Sequence, residues 1–132
     1  MPSSKLSILV VEDDSRISRI VRDRLQDTFP EARVEIAGSA SKAKTICEKF
    51  PPTWIVWDGA ANERGTTAEY IACIPANQWK NVLPISIDEG ILQQAKEKGA
   101  MAPVPKQPEA MHAWADDLSA YLKKIIPPKK KK

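Results

Sequence analysis

Ile8-Leu9-Val10-Val11-Glu12-Asp13-Asp14 decides how this chain reads. Four apolar residues, two of them β-branched valines, run straight into three carboxylates. An unbroken apolar run of this length reads as a strand buried on both faces, as in a parallel sheet with helices above and below. The acids then fall at the strand's carboxyl end, where open α/β sheets place their ligands. Three adjacent carboxylates repel one another, so they want a hard cation, a helix to cap, or both. The plainest reading is that Asp14 caps the helix that follows.

Outward from this stretch, strands and helices alternate. Ile17, Ile20, Val21, Leu25 and Phe29 recur at helical spacing until Pro30. Val34 to Ala37 read as a short strand, and Ala43, Ile46, Cys47 and Phe50 as a helix ended by Pro51-Pro52. Trp54-Ile55-Val56-Trp57 is a second fully apolar strand, and it too runs into an acid, Asp58. Thr66-Thr67-Ala68-Glu69 carries a capping-box pattern that opens a short helix closed by Pro75. Val82 to Ile87 predict a fourth strand, Ile91 to Lys98 a helix ending at Gly99, and Met101 to Pro105 a fifth strand. Met111, Trp114, Ala115, Leu118, Leu122 and Ile125 mark a last, longer helix.

Five strand–helix repeats with short connections predict an α/β fold, a doubly wound parallel sheet. Pro103 and Pro105 remove donors from one side of the fifth strand only, which places it at an edge. The two continuous apolar strands belong in the centre. Strand order 2-1-3-4-5 satisfies both constraints.

The 132 residues suit one domain, residues 1–126, followed by a Pro/Lys-rich tail or linker start at 127–132. With 42% hydrophobic and 28% charged residues, the composition is that of a soluble globular protein. No apolar run approaches the roughly 20 residues of a membrane span, and no signal-peptide pattern opens the chain, so a cytoplasmic location is expected. The net charge of +3 comes from the tail: four of the 20 basic residues are Lys129 to Lys132, leaving 16 against 17 acids, a balance of −1. A basic nucleic-acid-binding face is therefore not expected in the folded part. Cys47 and Cys73 read as core thiols rather than a disulfide or metal pair.

With strands one and three adjacent, Glu12, Asp13 and Asp58 converge at one end of the sheet. Three carboxylates there suit Mg²⁺, an oxygen-seeking ion that keeps several waters. Lys106, just past the fifth strand, lies at the same end and can neutralise a bound anion. Metal, carboxylate nucleophile and lysine are the parts that phosphoryl transfer needs.

Ile8 to Asp14, Trp54 to Asp58 and Lys106, at these spacings on a five-fold βα pattern, resemble the receiver domain of two-component response regulators, the CheY-like family. The resemblance covers about residues 5 to 126. It implies a flavodoxin-like fold, a metal-binding acid pair in Glu12 and Asp13, and phosphorylation of Asp58 by a sensor histidine kinase or phosphotransfer protein. It further implies that the carbonyl of Ala60 completes the Mg²⁺ site, that Lys106 contacts the phosphoryl group, and that a protein partner binds helix 4, strand 5 and helix 5. A homodimer through the last helix also fits the family. On this reading the chain is no enzyme beyond Mg²⁺-dependent self-phosphorylation from a phosphodonor and autodephosphorylation.

The departures from the family concern the switch. The usual Thr or Ser at the end of strand four, five residues after a proline, corresponds to Glu89 counted from Pro84, or to Asp88 with one residue lost. An acid there cannot donate a hydroxyl hydrogen bond and repels a phosphoryl group. Ser86, expected in mid-strand, does not replace it. The aromatic switch position holds Pro103, Ala61-Asn62 stand in for Met-Pro, and the Lys-Pro bond, normally cis, is Lys106-Gln107. A cis bond before glutamine costs roughly 2.5–4 kcal/mol, so a rebuilt loop is expected.

Three functions fit: a phosphorylatable receiver, a pseudo-receiver acting as a phosphorylation-independent interaction module, and a Mg²⁺-dependent hydrolase. The hydrolase wants a second acid two residues after the nucleophile, where Ala60 stands. His112 reads as a surface residue rather than a phosphate carrier. Trp114 fits the core stripe, Tyr121 its margin as an interface candidate, and Trp79 either a sheet-edge cover or a partner contact.

Overall fold

The computed structural model describes residues 6–59 and 66–126. Its order is β1 (Ser7–Val11), α1 (Ser15–Thr28), β2 (Arg33–Ala37), α2 (Ala40–Lys49), β3 (Trp54–Trp57), α3 (Thr67–Ala72), β4 (Val82–Pro84), α4 (Glu89–Glu97) and α5 (Met111–Ile125). Short 3₁₀ turns at Ala76–Asn81 and Pro108–Ala110 join the later elements. Among the described residues no helix is long and apolar enough to cross a membrane.

The apolar run Ile8–Val11 pairs on both sides, with Val34–Ala37 of β2 and with Trp54–Trp57 of β3, both parallel. β4 pairs parallel with β3, so the sheet runs β2-β1-β3-β4. Alternate residues feed two cores. Ile8, Val10, Val56 and Leu83 pack against Val21 and Leu25 of α1 and Trp114, Leu118 and Leu122 of α5. Leu9, Val11, Ile55 and Trp57 face Ala43 and Cys47 of α2, Tyr70 of α3 with Cys73 just after it, and Ile91 and Ala95 of α4. This is the doubly wound α/β fold that the strand pattern predicts. Both cysteines are buried free thiols within the second core.

Capping sets the helix starts. Asp14 Oδ1 accepts from the amides of Arg16 and Ile17 at 2.9 and 3.4 Å, so the third acid of the opening stretch is indeed a cap. Thr66 and Glu69 complete the expected box, with the Thr66 amide donating to Glu69 Oε1 at 2.8 Å and the Glu69 amide to Thr66 Oγ1 at 3.1 Å. Gly99 ends α4 at a φ of 100°, a left-handed conformation that suits glycine.

Two strand expectations need correction. β4 ends at Pro84 rather than Ile87; the proline has no N–H to continue a ladder, and after Ile85 donates to Trp57 O at 2.9 Å the chain turns toward α4. No fifth strand forms among the described residues. Residues 101–106 still lie beside β4, held by the amides of Met101, Val104 and Lys106 on the carbonyls of Val82, Pro84 and Ile85. That spacing is uneven, with three residues of the edge segment spanning two of β4, so no regular ladder builds. Pro103 and Pro105 alternate with the bonded amides and are exposed, which is the one-sided geometry expected of an edge.

Trp79 resolves as a core residue, 2% exposed, with its ring edge-on to Trp57 at 5.2 Å and 76°. Trp114 is likewise buried, while His112 is exposed with Arg24 Nη2 at 3.2 Å from its Nδ1.

Candidate functional site

The parallel register continues past the strands. The Glu12 amide donates to Ala37 O at 3.1 Å and the Asp58 amide to Val11 O at 2.9 Å, so the two acids leave the sheet side by side. With Asp13 they form a cup in which one carboxylate oxygen from each lies within 4.8 Å of the others. Glu12 is 1% and Asp58 4% exposed. One Glu12 oxygen, Oε2, accepts from the Asp14 amide at 3.1 Å, which fixes the side chain's direction.

Lys106 closes the cup. Its Nζ donates to Asp58 Oδ2 at 2.7 Å and to Glu12 Oε1 at 2.9 Å. Two backbone anchors aim it: its own amide bonds Ile85 O at 3.0 Å, and Trp114 Nε1 holds Val104 O at 3.0 Å. The Lys106–Gln107 bond is trans, and the ammonium reaches the acids without a cis bond after the lysine.

Burial pushes the Glu12 carboxyl up to about 7, the neighbouring Asp58 charge adds to this, and Lys106 opposes it. For Lys106, burial alone favours the neutral amine, but the hydrogen bond to and charge of Asp58, with Glu12 behind it, outweigh burial and raise its pKa. With all three acids ionised, one ammonium leaves two negative charges uncompensated, the charge of one divalent cation. The donor set is all oxygen, which fits a hard ion. The cup is compatible with a divalent metal site.

The other sequence-derived positions separate. Ala60, Ala61 and Asn62 lie outside the described residues. Glu89 is exposed at the first position of α4, and Asp88 caps that helix by accepting from the Ile91 amide at 3.1 Å. Neither joins the Lys106 ion pairs. Pro103 is exposed on the edge segment. Ser86, set aside as mid-strand, lies two residues beyond the end of β4 and is 1% exposed. Trp57 pairs with Pro84, so Ser86 follows at the rim that Asp58 also occupies. The premature end at Pro84 was the signal for it.

Tyr70 was missed altogether. It is 1% exposed on α3, and its hydroxyl is buried without a hydrogen-bond partner among the described residues. Trp57 Nε1 donates to the Tyr70 carbonyl at 3.1 Å, tying this residue to the one before Asp58. Burial raises the phenol to about 12, and the charges of Asp13, Asp58 and Glu12, along with Cys73, push the same way.

No protein-family model and no curated protein matches this chain. Solved structures do. The N-terminal domain of an uncharacterised Wolinella succinogenes protein is 26% identical over 92% of this chain and 99% of its own, with a TM-score of 0.64. The response regulator domain of Thermotoga maritima CheB is 19% identical over 95% and 100%, with a TM-score of 0.71. The Mn²⁺-bound response regulator Rcp1 is 16% identical over 95% and 99%, with a TM-score of 0.72. The chain therefore has the CheY-like receiver fold, the fold of two-component response regulators.

Proposed function

We propose that this chain is a phosphorylatable receiver domain that takes a phosphoryl group on Asp58 and signals through a protein–protein surface. The observation that carries this reading is the Lys106 ammonium bridging Asp58 and Glu12, with Asp13 completing the acid cup. Glu12, Asp13 and Asp58 would hold Mg²⁺, with the Ala60 carbonyl as a further ligand. Bound there, the ion would neutralise charge on the transferring phosphoryl group.

An Asp58 carboxylate oxygen attacks phosphorus, forming a P–O bond as the bond from phosphorus to the donor breaks. The bonding electron pair leaves with the donor, a histidine imidazole of a sensor kinase or phosphotransfer protein, or a small phosphodonor. Lys106 keeps its proton, turns from Asp58 toward the phosphoryl oxygens, and offsets their charge. Glu12 stays within reach of the same ammonium. Burial of Asp58 restricts the directions from which a phosphodonor can reach its carboxylate. Output is read by a partner on α4, the 101–106 segment and α5.

The phosphorylation-independent alternative draws support from Pro103. A rigid, exposed ring at the aromatic switch position cannot change rotamer with the state of Asp58.

Incubation with Mg²⁺ and a small-molecule phosphodonor, followed by intact-mass measurement, tests the proposal. A gain of one phosphoryl group that disappears in Asp58→Asn is expected. No gain in the wild type rejects phosphorylation and leaves the interaction module.

A further inference from the structure

A buried tyrosine hydroxyl with no partner is costly, since nothing replaces the water it gives up. Among the described residues Tyr70 bears that cost, on α3. Its ring packs in the core that includes Val11 and Trp57, the residues immediately before Glu12 and Asp58. Its carbonyl is already occupied, accepting from Trp57 Nε1 at 3.1 Å and from Cys73 Sγ at 3.0 Å. The backbone is thereby held while the hydroxyl has no partner among the described residues. Burial first, and then the charges of Asp13, Asp58, Cys73 and Glu12, raise its pKa, so the phenol keeps its proton and can donate it in a hydrogen bond.

A cup of carboxylates is rich in acceptors and poor in donors. An anion seated on Asp58 needs the reverse. Lys106 supplies one donor group and Ser86 offers a hydroxyl at the rim, while the acid positions Asp88 and Glu89 supply none. Resting on the phosphoryl reading of Asp58, we propose that the Tyr70 hydroxyl donates a hydrogen bond to the phosphoryl oxygens at the cup, making it a specificity-determining contact from α3. Its orphaned state in the free protein is then the state that the ligand relieves.

The test uses the full chain, Mg²⁺ and beryllofluoride, a tetrahedral mimic of an acyl phosphate. Tyr70→Phe keeps the ring, so its denaturant midpoint without ligand should match or exceed the wild type, and its Mg²⁺ affinity should stay within about twofold. Beryllofluoride affinity at saturating Mg²⁺ should fall about tenfold, the loss of one useful hydrogen bond. Tyr121→Phe, which removes the chain's other phenol, should change none of these. Equal beryllofluoride affinity in wild type and Tyr70→Phe overturns the proposal while leaving the phosphoryl reading intact. A wild type that binds Mg²⁺ but not beryllofluoride overturns both, and that failure is visible without the variant.

Discussion

The Lys106 ammonium sits 2.7 Å from Asp58 Oδ2 and is itself only 13% exposed on its side chain. A cation so placed offsets two buried acids at once, because Glu12 Oε1 is 2.9 Å away on its other side. Removing it by Lys106→Met strands two buried carboxylates against each other. Breaking a buried pair in this way costs about 3–5 kcal/mol. Urea denaturation of the metal-free variant should show a loss of that size, and Mg²⁺ should restore part of it by taking the ammonium's place. An unchanged midpoint would mean that the bridge is not formed in solution.

Glu12 gives the metal-free protein a characteristic pH dependence. Its folded carboxyl lies at about 7, above the ordinary 4.5, because burial and then Asp58 disfavour the charge. Between those values the folded state holds a proton that the unfolded chain has released, so this contribution is fully present below about 4.5 and is lost as pH rises through about 7. Lys106, with its pKa raised, keeps its own contribution throughout that range. Denaturant midpoints in chelator should fall from about pH 5 to about pH 8 more steeply in wild type than in Glu12→Gln. Parallel curves would remove Glu12 as the cause.

Gly59, next to Asp58, has no room for a side chain, since a Cβ would enter the Trp57 ring. Gly59→Ala forces that ring aside together with its 3.1 Å bond to the Tyr70 carbonyl. Overpacking of this kind costs about 1–3 kcal/mol. Thermal unfolding should show the loss and near-ultraviolet dichroism a changed tryptophan environment.

Under the proposed phosphorylation of Asp58, Ser86 and Glu89 are the two candidates for the switch position. Glu89→Ala alters an exposed helix position, with a stability change within about 0.5 kcal/mol and no effect on phosphate uptake. Ser86→Ala changes a buried hydroxyl at the rim shared with Asp58 and should slow phosphorylation or weaken its structural response. Rates of phosphoryl uptake followed by mass distinguish the two; a larger effect at Glu89 would restore the spacing argument.

Much of this fold was legible because apolar runs and helical stripes report burial directly. Ile8–Val11 and Trp54–Trp57 read as central strands and are central. The convergence of Glu12, Asp13 and Asp58 followed from placing those strands side by side. What escaped depends on where the backbone leaves regular structure. Pro84 ends β4 early, so a serine counted as mid-strand sits at the rim. Trp79 looked like a loop residue because its neighbours in the 3₁₀ turn are polar, yet its ring meets Trp57. Tyr70 lies on an apolar helix face, where a phenol reads as core and the reach of its hydroxyl has no sequence signal.

Binding of Mg²⁺ is the most direct test of the acid cup as a metal centre, because every proposed step at Asp58 depends on it. Calorimetric titration of Mg²⁺ at about pH 8, above the Glu12 titration, should show one saturable site per chain, weakened at least about tenfold in Asp13→Asn. No uptake at millimolar Mg²⁺, or equal uptake by wild type and Asp13→Asn, would contradict the metal-centred account.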